Sequence, residues 1–563
     1  MQKALLLIAE KSKAMVFEGF TPYDPKAAEL YNRRRWWLGI TLGDMLDKAS
    51  DLYPSKEALV GEKKRYTYEE LREIVDRMAF NLLSEGLSPG DTVLLQLPNW
   101  PEFVISYFAL QKAGLVMVLL TVNHTAREVL HLADLAQPKG WILPDHYRKM
   151  DYAPLVRQVR QETSKLEKVI VVGKDLEAGC LSFDAVAGKR AGHGEIRDTL
   201  DKVRPDPGDV CQILPSGGTT GLPKGAPRTH NDYICNIEYK SKAWDLNVTD
   251  TCLVATTVGH NLALLVTVTG SVFHGAKMVM LDSTYPQDFC RIVQEEKVTC
   301  TGLVPTLISR YVNFENLKDY DLTSLKKMYV GAANSPPELV RETEKDLGCL
   351  YTNAFGMVEG PCSQTRPWDP LEVRCRTIGR PVCPYDDFRT LDQEGKPAPI
   401  GVEGELAAKG PGVFTGYSKN VQANRDSFTP DGYFRTGDLA VIDEKGNIRI
   451  TGRIKDIIIR GGENIAARDV EDLISSHPEV EYVAAVGMPA PDLGEQVCAY
   501  IKRVKGSSIG GGEIVEHLKR QEASKLLYPA RIEFVDEIAL TAAGKADKKA
   551  LRKDIEEKIK REG

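Results

Sequence analysis

A short stretch rich in glycine and hydroxyl side chains, LPSGGTTGLPKG at positions 214–225, is the segment best suited to bind phosphate groups. Glycine lets the backbone approach a polyanion with its N–H groups turned inward, and Lys224 adds a compact positive charge. Pro223 precedes Lys224 where the common P-loop requires glycine, and the stretch contains no Gly-x-Gly-x-x-Gly fingerprint. The stretch therefore predicts a phosphate-binding loop of another type. An ordinary flexible surface loop is the alternative that composition alone leaves open.

Four further segments carry isolated charged side chains on or near glycine turns. They are NAFGMVEG at 353–360, YFRTGD at 433–438, GRIKDIII at 452–459 with GGEN at 461–464, and LTAAGK at 540–545. Each has a simpler explanation when taken singly, because aspartate is common in turns and a lysine near a terminus is usually solvated. Together they supply the carboxylates of Glu359 and Asp438 and the cations of Arg453 and Lys545.

The composition is that of an ordinary globular protein. The 563 residues, 42% hydrophobic and 27% charged, are too many for one core, and they predict about two to four folding units. The net charge of −6 argues against a nucleic-acid-binding protein, and the basic-aromatic cluster at 33–37 is expected to pack at a domain edge. The eleven cysteines show no Cys-x-x-Cys spacing, so we expect buried, reduced thiols and no zinc site. The apolar run at 5–9 is too short for a signal peptide or a membrane span, which makes the cytoplasm the expected location.

Helical and strand patterns alternate along most of the chain and predict a large α/β architecture. A capping box at Thr67 and Glu70 predicts a helix that closes at Gly86, and the run at 104–120 predicts a core helix followed by a buried strand. Buried strands are also predicted at 92–97, 168–172, 251–255, 277–281, 300–304 and 327–331. Short strands and turns at 401–450 predict an all-β subdomain. After Arg453 a compact unit follows, with helices predicted at 468–476 and 513–522, strands at 480–487 and 531–535, and a lysine-rich end.

The order and wording of these segments resemble the adenylate-forming superfamily of acyl- and aryl-CoA synthetases, peptide-synthetase adenylation domains and luciferases. The resemblance runs from about Leu38 to Arg552. The sequence is most similar to the stand-alone aryl-acid-AMP ligases, such as 2,3-dihydroxybenzoate-AMP ligase. Their N-terminal segment is similar to EGFTP at 18–22 and WLGITLGD at 37–44. The resemblance implies an N-terminal domain at 1–452, made of two α/β sheets and a β subdomain at about 385–452. It also implies a hinge at 453–456 and a small mobile α+β domain at 457–563.

The resemblance implies a ligase that works in two steps. A carboxylate attacks the α-phosphate of ATP to give an acyl-adenylate and pyrophosphate, and a thiol then displaces AMP to give a thioester. The implied substrate is a cyclic carboxylic acid, aromatic or alicyclic, and the implied cofactors are ATP, Mg²⁺ and CoA. The pantetheine thiol of a carrier protein is the alternative acceptor. Homodimers are common among such enzymes, whereas neither nucleic acid nor a membrane span is expected.

The resemblance also assigns roles to residues of the matching motifs. Lys545 would bridge the carboxylate and the α-phosphate, and His260 is a further catalytic residue. Lys224 would hold the β- and γ-phosphates, and Glu359 with a hydroxyl such as that of Thr219 would hold Mg²⁺. The residues implied to bind the nucleotide or to serve the second step are Ser216, Gly217, Gly218, Thr219, Thr220, Gly221, Gly331, Ala332, Ala333, Asn353, Phe355, Gly356, Met357, Asp438, Ile450, Arg453, Lys455, Gly461, Gly462 and Glu463.

Three of these residues are tied to particular parts of the reaction. Asp438 would accept hydrogen bonds from both ribose hydroxyls, and Arg453 would reach the ribose or the α-phosphate. Lys455 would be the pivot of a rotation that removes Lys545 from the site and brings the loop at 461–464 to it.

The acid pocket is where the chain departs from the dihydroxybenzoate enzymes. The matching segment at 258–266 keeps His260 and Asn261, but Leu262 stands in place of a tyrosine and Val266 in place of a serine. Because an apolar lining leaves a hydroxyl without a partner, the pocket is expected to suit a less hydroxylated ring, such as benzoate, a monohydroxybenzoate or an alicyclic acid. The alternative is that these side chains point into the core. The same departures favour CoA over a carrier protein.

Other interpretations of the whole protein stay open. The chain could be a nucleotide- or acyl-AMP-binding protein without turnover, although Lys224, Glu359, Asp438 and Lys545 are all present. A hydrolase of the phosphate-loop type is disfavoured because Walker-A spacing is missing. The reaction is near balance while pyrophosphate is retained, so the sequence is compatible with net thioester synthesis and with net ATP formation.

Overall fold

The structure of the chain is a computed structural model that describes residues 17–174, 178–189, 191–216, 222–333, 335–460, 463–490, 493–521, 523–541 and 545–562. The strands are β1 (Glu57–Val60), β2 (Arg65–Thr67), β3 (Thr92–Leu95), β4 (Val116–Leu119), β5 (Gly140–Pro144), β6 (His146–Tyr147), β7 (Met150–Asp151), β8 (Lys168–Val172), β9 (Leu181–Ser182), β10 (Val210–Ser216), β11 (Lys224–Thr229), β12 (Thr251–Val254), β13 (Lys277–Met280), β14 (Cys300–Leu303), β15 (Lys327–Val330), β16 (Leu350–Gly356), β17 (Cys362–Gln364), β18 (Arg380–Pro381), β19 (Asp387–Leu391), β20 (Gly404–Lys409), β21 (Phe434–Ile442), β22 (Ile448–Arg453), β23 (Ile457–Arg460), β24 (Glu463–Ala466), β25 (Val480–Ala490), β26 (Gly494–Arg503) and β27 (Arg531–Phe534).

The helices alternate with these strands in the N-terminal part of the chain. The α-helices are Pro25–Arg33, Leu42–Leu52, Tyr68–Ser84, Pro101–Lys112, Ala126–Ala136, Ala153–Glu162, Phe183–Gly188, His193–Val203, His230–Ala243, Thr269–His274, Pro286–Glu296, Pro305–Val312, Pro337–Leu347, Leu371–Arg376, Val421–Ser427, Ala467–Ser475, Gly511–Arg520 and Lys548–Glu562. A π-helix spans Ala263–Val268, and single 3₁₀ turns span Leu317–Asp319, Ile454–Asp456 and Lys525–Leu527.

Two mostly parallel sheets form the centre of the N-terminal part. One has the strand order β18-β17-β16-β15-β14-β12-β13-β1-β2, and the other has the order β11-β10-β4-β3-β5-β8-β9. Strands such as β3, β4 and β14 are buried along their whole length, as expected for parallel strands covered on both faces. The main core draws on both sheets, with Cys252 and Met278 from the first and Leu95 and Met117 from the second.

Two helices of the main core differ in how much of their surface they bury. The helix Pro101–Lys112 is buried on all sides, and only Glu102 is half-buried. This helix and the buried strand β4 after it confirm the prediction of a core helix followed by a buried strand at 104–120. The helix Tyr68–Ser84 begins at the predicted capping box, in which the Thr67 hydroxyl accepts from the Glu70 N–H at 3.2 Å.

The rest of the chain forms an antiparallel sheet and a smaller α+β unit. The antiparallel sheet has the order β19-β20-β21-β22 and gives the β subdomain that the turns at 401–450 predict. The smaller unit has the order β24-β23-β26-β25, with β27 beside β26. The sequence patterns missed β26, which pairs with β25 over almost its entire length. The lysine-rich end forms the helix Lys548–Glu562, which docks through Leu551 and Ile555. The fold is thus the α/β fold with large N-terminal and small α+β C-terminal parts that the sequence predicts.

The structure also shows where the cysteines and the basic-aromatic cluster at 33–37 lie. All cysteines except the half-buried Cys180 are buried. In the basic-aromatic cluster, Trp37 is buried and its indole N–H donates to Pro411 O at 2.9 Å, while Trp36 stacks on Tyr385. The two tryptophans therefore pack against the body of the protein, while Arg33, Arg34 and Arg35 are exposed. No helix among the described residues is long and apolar enough to cross a membrane.

Candidate active site

The glycine-rich stretch connects two antiparallel strands at the edge of the second sheet. Ser216 ends β10, Lys224 begins β11, and the two residues are direct cross-strand partners. Residues 217–221, which include five of the predicted nucleotide ligands, lie outside the described part of the chain. Ser216 is buried, and Lys224 places its ammonium 4.5 Å from the centroid of the Tyr417 ring. The stretch is therefore anchored at both ends by paired backbone.

Glu359 lies beside this anchor and is almost fully buried. Its Oε1 accepts a hydrogen bond from the Tyr417 hydroxyl at 2.7 Å, so Tyr417 contacts both Glu359 and Lys224. Burial raises the pKa of Glu359, while the Tyr417 hydrogen bond and the charges of Arg228 and Lys224 act against the rise. A buried carboxylate with cations nearby is suited to binding a hard metal ion together with substrate oxygens.

A buried ion pair that the sequence analysis missed holds Glu359 in place. Arg228 and Asp232 are fully buried, 2.6 Å apart, and the Arg228 guanidinium also donates to Val358 O at 2.8 Å and Gly412 O at 2.9 Å. Arg228 thus links β11 to the loop that carries Glu359. The spacing of four residues between Arg228 and Asp232, with a capping box at Thr229, is the signal that could have drawn attention to the pair.

Asp438 and Arg453 face each other across two strands of the β subdomain. They are register partners in β21 and β22, and the Arg453 Nε donates to Asp438 Oδ1 at 2.6 Å. Asp438 is buried, while Arg453 keeps partial contact with solvent. Burial acts to lower the pKa of Arg453, but the Asp438 carboxylate outweighs it and raises the pKa.

Lys545 reaches this pair from the C-terminal unit. Thr541 and Lys545 close a tight tip, since the Thr541 N–H donates to Lys545 O at 2.7 Å and the Lys545 N–H to the Thr541 hydroxyl at 3.3 Å. The Lys545 side chain is exposed to solvent, but the protein atoms around it remove part of its hydration. This partial desolvation lowers the pKa of Lys545 to about 8. Arg453 adds to the decrease, and Asp438 and Glu359 oppose it, so Lys545 lies within electrostatic reach of all three. Glu359, Asp438, Arg453 and Lys545 thus lie close enough for their charges to interact, and these four residues define the candidate cleft.

The residues expected around adenine lie at the ends of β15 and β16. Ala332 follows β15 with φ of 71°, a left-handed conformation that alanine rarely adopts. Phe355 and Ile450 pack against the same small cluster of Ile378, Leu406, Ala440 and Ile448.

The expected adenine site also includes Gly331, Asn353, Gly356 and Met357. A side chain added at Gly331 would begin 3.2 Å from Ala354 O, so β15 and β16 approach closely there. Asn353 is buried and its Oδ1 lies 3.4 Å from the Ser335 hydroxyl. Gly356 is exposed, and Met357 packs against the cluster around Phe414.

The segment expected to line the acid pocket runs into the π-helix Ala263–Val268, an irregularity that is frequent at functional sites. His260, Asn261 and Leu262 are half-buried, and the Asn261 Oδ1 accepts from the Tyr233 hydroxyl at 2.8 Å. Val266 instead is 1% exposed and belongs to the main core. His124 lies near His260, and burial followed by the charge of His260 lowers the pKa of His124 to about 4.

Asn99 fixes the loop that leads into this segment. Its Nδ2 donates to the carbonyls of Val254, Thr256 and Leu281 at 3.2, 2.9 and 3.0 Å, and its Oδ1 accepts from the Val258 N–H at 2.9 Å. Gly259 allows the loop to pass the end of β4, since a Cβ there would lie 2.7 Å from Leu120 O. Neither Asn99 nor Tyr233 carries a motif that the sequence analysis could have recognised.

The residues expected for the second step lie on the turn after Arg453 and on the hairpin that follows it. Lys455 is exposed on the 3₁₀ turn Ile454–Asp456, where Arg552 donates to Lys455 O at 3.2 Å and to Asp456 at 3.3 Å. Glu463 is exposed and pairs with Arg460 across the hairpin of β23 and β24, while Gly461 and Gly462 lie outside the described residues. In the described part of the chain, neither the Lys455 nor the Glu463 side chain is joined by a hydrogen bond or ion pair to Glu359, Asp438 or Lys545.

Two known protein families match the chain, one in its large N-terminal part and one in its small C-terminal part. The profile of a family described as AMP-binding enzyme matches residues 46–418, and that of the AMP-binding enzyme C-terminal domain matches residues 469–545. The chain belongs to the AMP-binding enzyme family. This confirms the resemblance to the adenylate-forming superfamily.

Relatives of this AMP-binding enzyme cover nearly its full length. A salicylyl-CoA synthase / salicylate adenylyltransferase from Streptomyces sp is 36% identical over 540 residues, 96% of this chain and 98% of the relative. A 2,3-dihydroxybenzoate-AMP ligase from Bacillus subtilis strain 168 is 34% identical over 545 residues, 97% of this chain and 99% of the relative. The apo structure of Mycobacterium smegmatis MbtA is 33% identical, with a TM-score of 0.73 over 95% of this chain and 98% of that one.

The family implies ATP, with Mg²⁺ as its usual companion, and the side chains present fit such an ion. Among the described residues, no group of three or more metal-ligating His, Cys, Asp or Glu side chains occurs. Mg²⁺ does not need one, because it is commonly held by one or two carboxylates together with substrate phosphates and water. Glu359, with its buried carboxylate facing the anchor of the glycine-rich stretch, is the residue that would hold it.

Proposed function

We propose that this AMP-binding enzyme joins a cyclic carboxylic acid to a thiol through an acyl-adenylate. An oxygen of the acid attacks the α-phosphorus of ATP, and the bond from that phosphorus to pyrophosphate breaks. The thiol then attacks the acyl carbon, and AMP leaves. The observation that carries the proposal is that the charges of Lys545, Arg453, Asp438 and Glu359 interact, although Glu359 and Lys545 are far in sequence from each other and from the Asp438–Arg453 pair.

Lys545 would act in the first step by balancing negative charge. In-line attack brings an anionic carboxylate to an anionic phosphate, so the barrier is lowered mainly by fixed cations. The Lys545 side chain is exposed and its charge interacts with that of Arg453, which supports a role for these two cations in binding the α-phosphate. Lys224, held over the Tyr417 ring, would neutralise the leaving pyrophosphate.

Asp438 and Arg453 would hold the nucleoside. The Asp438 Oδ1 is taken by Arg453 at 2.6 Å, whereas the distance to its Oδ2 is 3.5 Å, which leaves that oxygen as the stronger remaining acceptor for ribose hydroxyls. Mg²⁺ at Glu359 would supply Lewis-acid neutralisation of the phosphates when bound.

In the second step Lys545 would leave the site, and the loop at 461–464 would take its place. Rotation at residues 453–456 is the proposed way, and the exposed 3₁₀ turn that contains Lys455 is suited to absorb a change of backbone angles. The salt bridge of Arg552 with Asp456, at 3.3 Å, is the contact that such a rotation would break. The domain bounds 1–452 and 457–563 are proposed with this hinge between them.

The acid is proposed to be cyclic, and the acceptor to be CoA. Relatives named for salicylate and 2,3-dihydroxybenzoate support a ring, and one of them is named as a CoA synthase. A carrier protein presents the same thiol and is the alternative acceptor.

Lys545→Ala tests the proposed function because it should separate the two half-reactions. We expect acid-dependent pyrophosphate exchange to fall by about 100-fold or more, while thioester formation from supplied acyl-adenylate stays near the wild-type rate. The matched control is Lys549→Ala, an exposed lysine close by on the helix Lys548–Glu562, which should leave both rates unchanged. Equal loss in both half-reactions would contradict the assignment. Absence of exchange with every acid tried would favour a binding protein without turnover, and AMP release only on addition of CoA would identify the acceptor.

A further inference from the structure

Lys240, on the helix His230–Ala243, is a buried cation that the proposed mechanism does not use. Lys240 is only 2% exposed to solvent. The Nζ donates to Phe355 O at 3.3 Å and to the Cys362 thiol at 3.4 Å, and it lies 5.3 Å from the centroid of the Tyr329 ring. In the part of the chain that the structure describes, no carboxylate forms an ion pair with it.

The other buried lysines of the described chain are paired differently. Lys327 is 7% exposed and forms an ion pair with Asp250 at 2.8 Å, and Lys112 is 8% exposed and contacts both Asp47 and Asp76. A buried ammonium without a counter-charge is costly, because its hydration is lost and a carbonyl and a thiol at more than 3 Å replace it poorly. Lys240 also has a hydrogen bond to the Tyr329 side chain, so it is the buried lysine of the described chain whose partners are all uncharged.

The position of Lys240 connects it to the acid pocket. Its neighbour Tyr329 lies beside Leu262, since a Cβ built on Gly331 would be 3.4 Å from Leu262 Cδ1 and 3.7 Å from Tyr329 Cε1. A Cβ on the exposed Gly356 would lie 2.7 Å from the Lys240 Nζ, so the ammonium is directly beneath a surface that carries no side chain. Lys240 is thus next to the residues proposed to bind the ring.

We propose that Lys240 is a specificity-determining residue that donates to an acceptor oxygen on the ring of the acid substrate. A hydroxyl, an oxo group or a second carboxylate on the ring would all supply such an oxygen. Such an oxygen would be a stronger acceptor for the buried ammonium than the Cys362 thiol, which lies 3.4 Å away. The inference rests on the proposed function, and it differs from the sequence-based expectation of an apolar pocket, which considered Leu262 and Val266 without Lys240.

Pyrophosphate exchange on matched acids tests this inference. Each pair consists of a cyclic acid and the same acid with a hydroxyl, oxo or carboxylate substituent, at each ring position in turn. We expect wild-type kcat/KM to be at least about 10-fold higher for one oxygen-bearing acid than for its parent. Lys240→Met, which keeps the length and removes the charge, should lower kcat/KM for that acid by about 10- to 100-fold and change it less than about threefold for the parent.

The control and the opposing outcomes separate the inference from the proposed function. Lys242→Met removes an exposed lysine of the same helix that pairs with Glu238 at 2.5 Å, and it should leave the preference unchanged. Retained exchange on the parent acid reports that Lys240→Met is folded. A wild-type enzyme that prefers the parent in every pair, or an equal loss on both acids in Lys240→Met, would overturn the inference and leave the proposed function standing. No exchange with any acid in the wild type would overturn the proposed function itself.

Discussion

Single residues of the cleft owe their chemical character to the charges around them. Lys545 is the clearest case, because partial loss of hydration beside the surrounding protein and the charge of Arg453 favour its neutral form while Asp438 and Glu359 favour the ammonium. The balance lowers the pKa to about 8, so a modest change in pH alters the charge of the group proposed to meet the α-phosphate. Glu359 shows the opposite case, a carboxyl whose pKa burial raises and the Tyr417 hydroxyl restrains.

The pH dependence of adenylation should reveal the low pKa of Lys545. The active form is the ammonium, which predominates below about pH 8 and is lost as the pH rises through that value. We therefore expect kcat/KM for acid-dependent pyrophosphate exchange to fall above about pH 8. Lys545→Arg should be slower but should keep its rate to higher pH, because a guanidinium stays charged. The measurement is a kcat/KM profile from pH 6.5 to about 9.5, with Lys549→Arg as control. An unchanged alkaline limb in Lys545→Arg would assign the ionisation to another group.

At the scale of elements, loops are held by side chains that reach across from neighbouring elements. Asn99 ties three carbonyls from β12, its following loop and the end of β13 to one amide, and it also accepts from the Val258 N–H. The segment with His260, Asn261 and Leu262 starts from this fixed point and continues into the π-helix Ala263–Val268. The position of the acid pocket thus depends on a residue that would not touch the substrate.

Asn99→Ala should weaken both the fold and the pocket. Loss of the amide leaves buried carbonyls and one N–H without their partner, so we expect the free energy of unfolding to fall by about 2–3 kcal/mol. Because the loop also positions His260, KM for the acid should rise more than KM for ATP. Urea unfolding and exchange kinetics measure the two effects. Asn313→Ala removes an exposed amide that bonds only to Ser309 O within a helix end, and it should change neither quantity. A loss of stability with no change in KM for the acid would limit Asn99 to a structural role.

At the scale of the whole molecule, one buried ion pair joins the parts that form the cleft. Arg228 lies on β11, pairs with Asp232 on the following helix, and donates to the loops at Val358 and Gly412. The second sheet, the Glu359 loop and the approach to the β subdomain are therefore connected through one guanidinium. The C-terminal unit then completes the site by adding Lys545.

Arg228→Met should be strongly destabilising. The change leaves the Asp232 carboxylate buried without its counter-charge, and we expect a loss of about 3–5 kcal/mol in the free energy of unfolding. The matched control is Arg291→Met, which breaks an exposed pair of the same spacing with Glu295 at 2.9 Å and should cost no more than about 0.5 kcal/mol. Chemical denaturation of the three proteins gives the comparison. Similar losses of unfolding free energy in the two variants would show that burial does not explain the contribution of the Arg228–Asp232 pair to stability.

Much of this arrangement was predictable from local sequence, and some of it was not. The capping box at Thr67 and the buried strand at 168–172 depend on neighbouring residues, so the sequence predicts them where the structure has them. The candidate residues Glu359, Asp438, Arg453 and Lys545 came from motifs, but the motifs do not contain Tyr417, Arg228, Asn99 or Lys240. Val266 was assigned to the pocket from the resemblance, and its burial in the main core is a property that the sequence did not provide.

The sequence by itself determined the alternation of helices and strands, the order of the motifs and the chemical types that they supply, because these depend on residues close together in the chain. The tertiary structure decided which of them meet. Lys545 and Asp438 are more than a hundred residues apart and belong to different folding units, and only the packing of those units brings an ammonium to the Asp438–Arg453 pair. The same holds for the burial of Lys240 without a carboxylate partner and for the pKa of Lys545 near 8, since burial and distance between charges are properties of the folded chain.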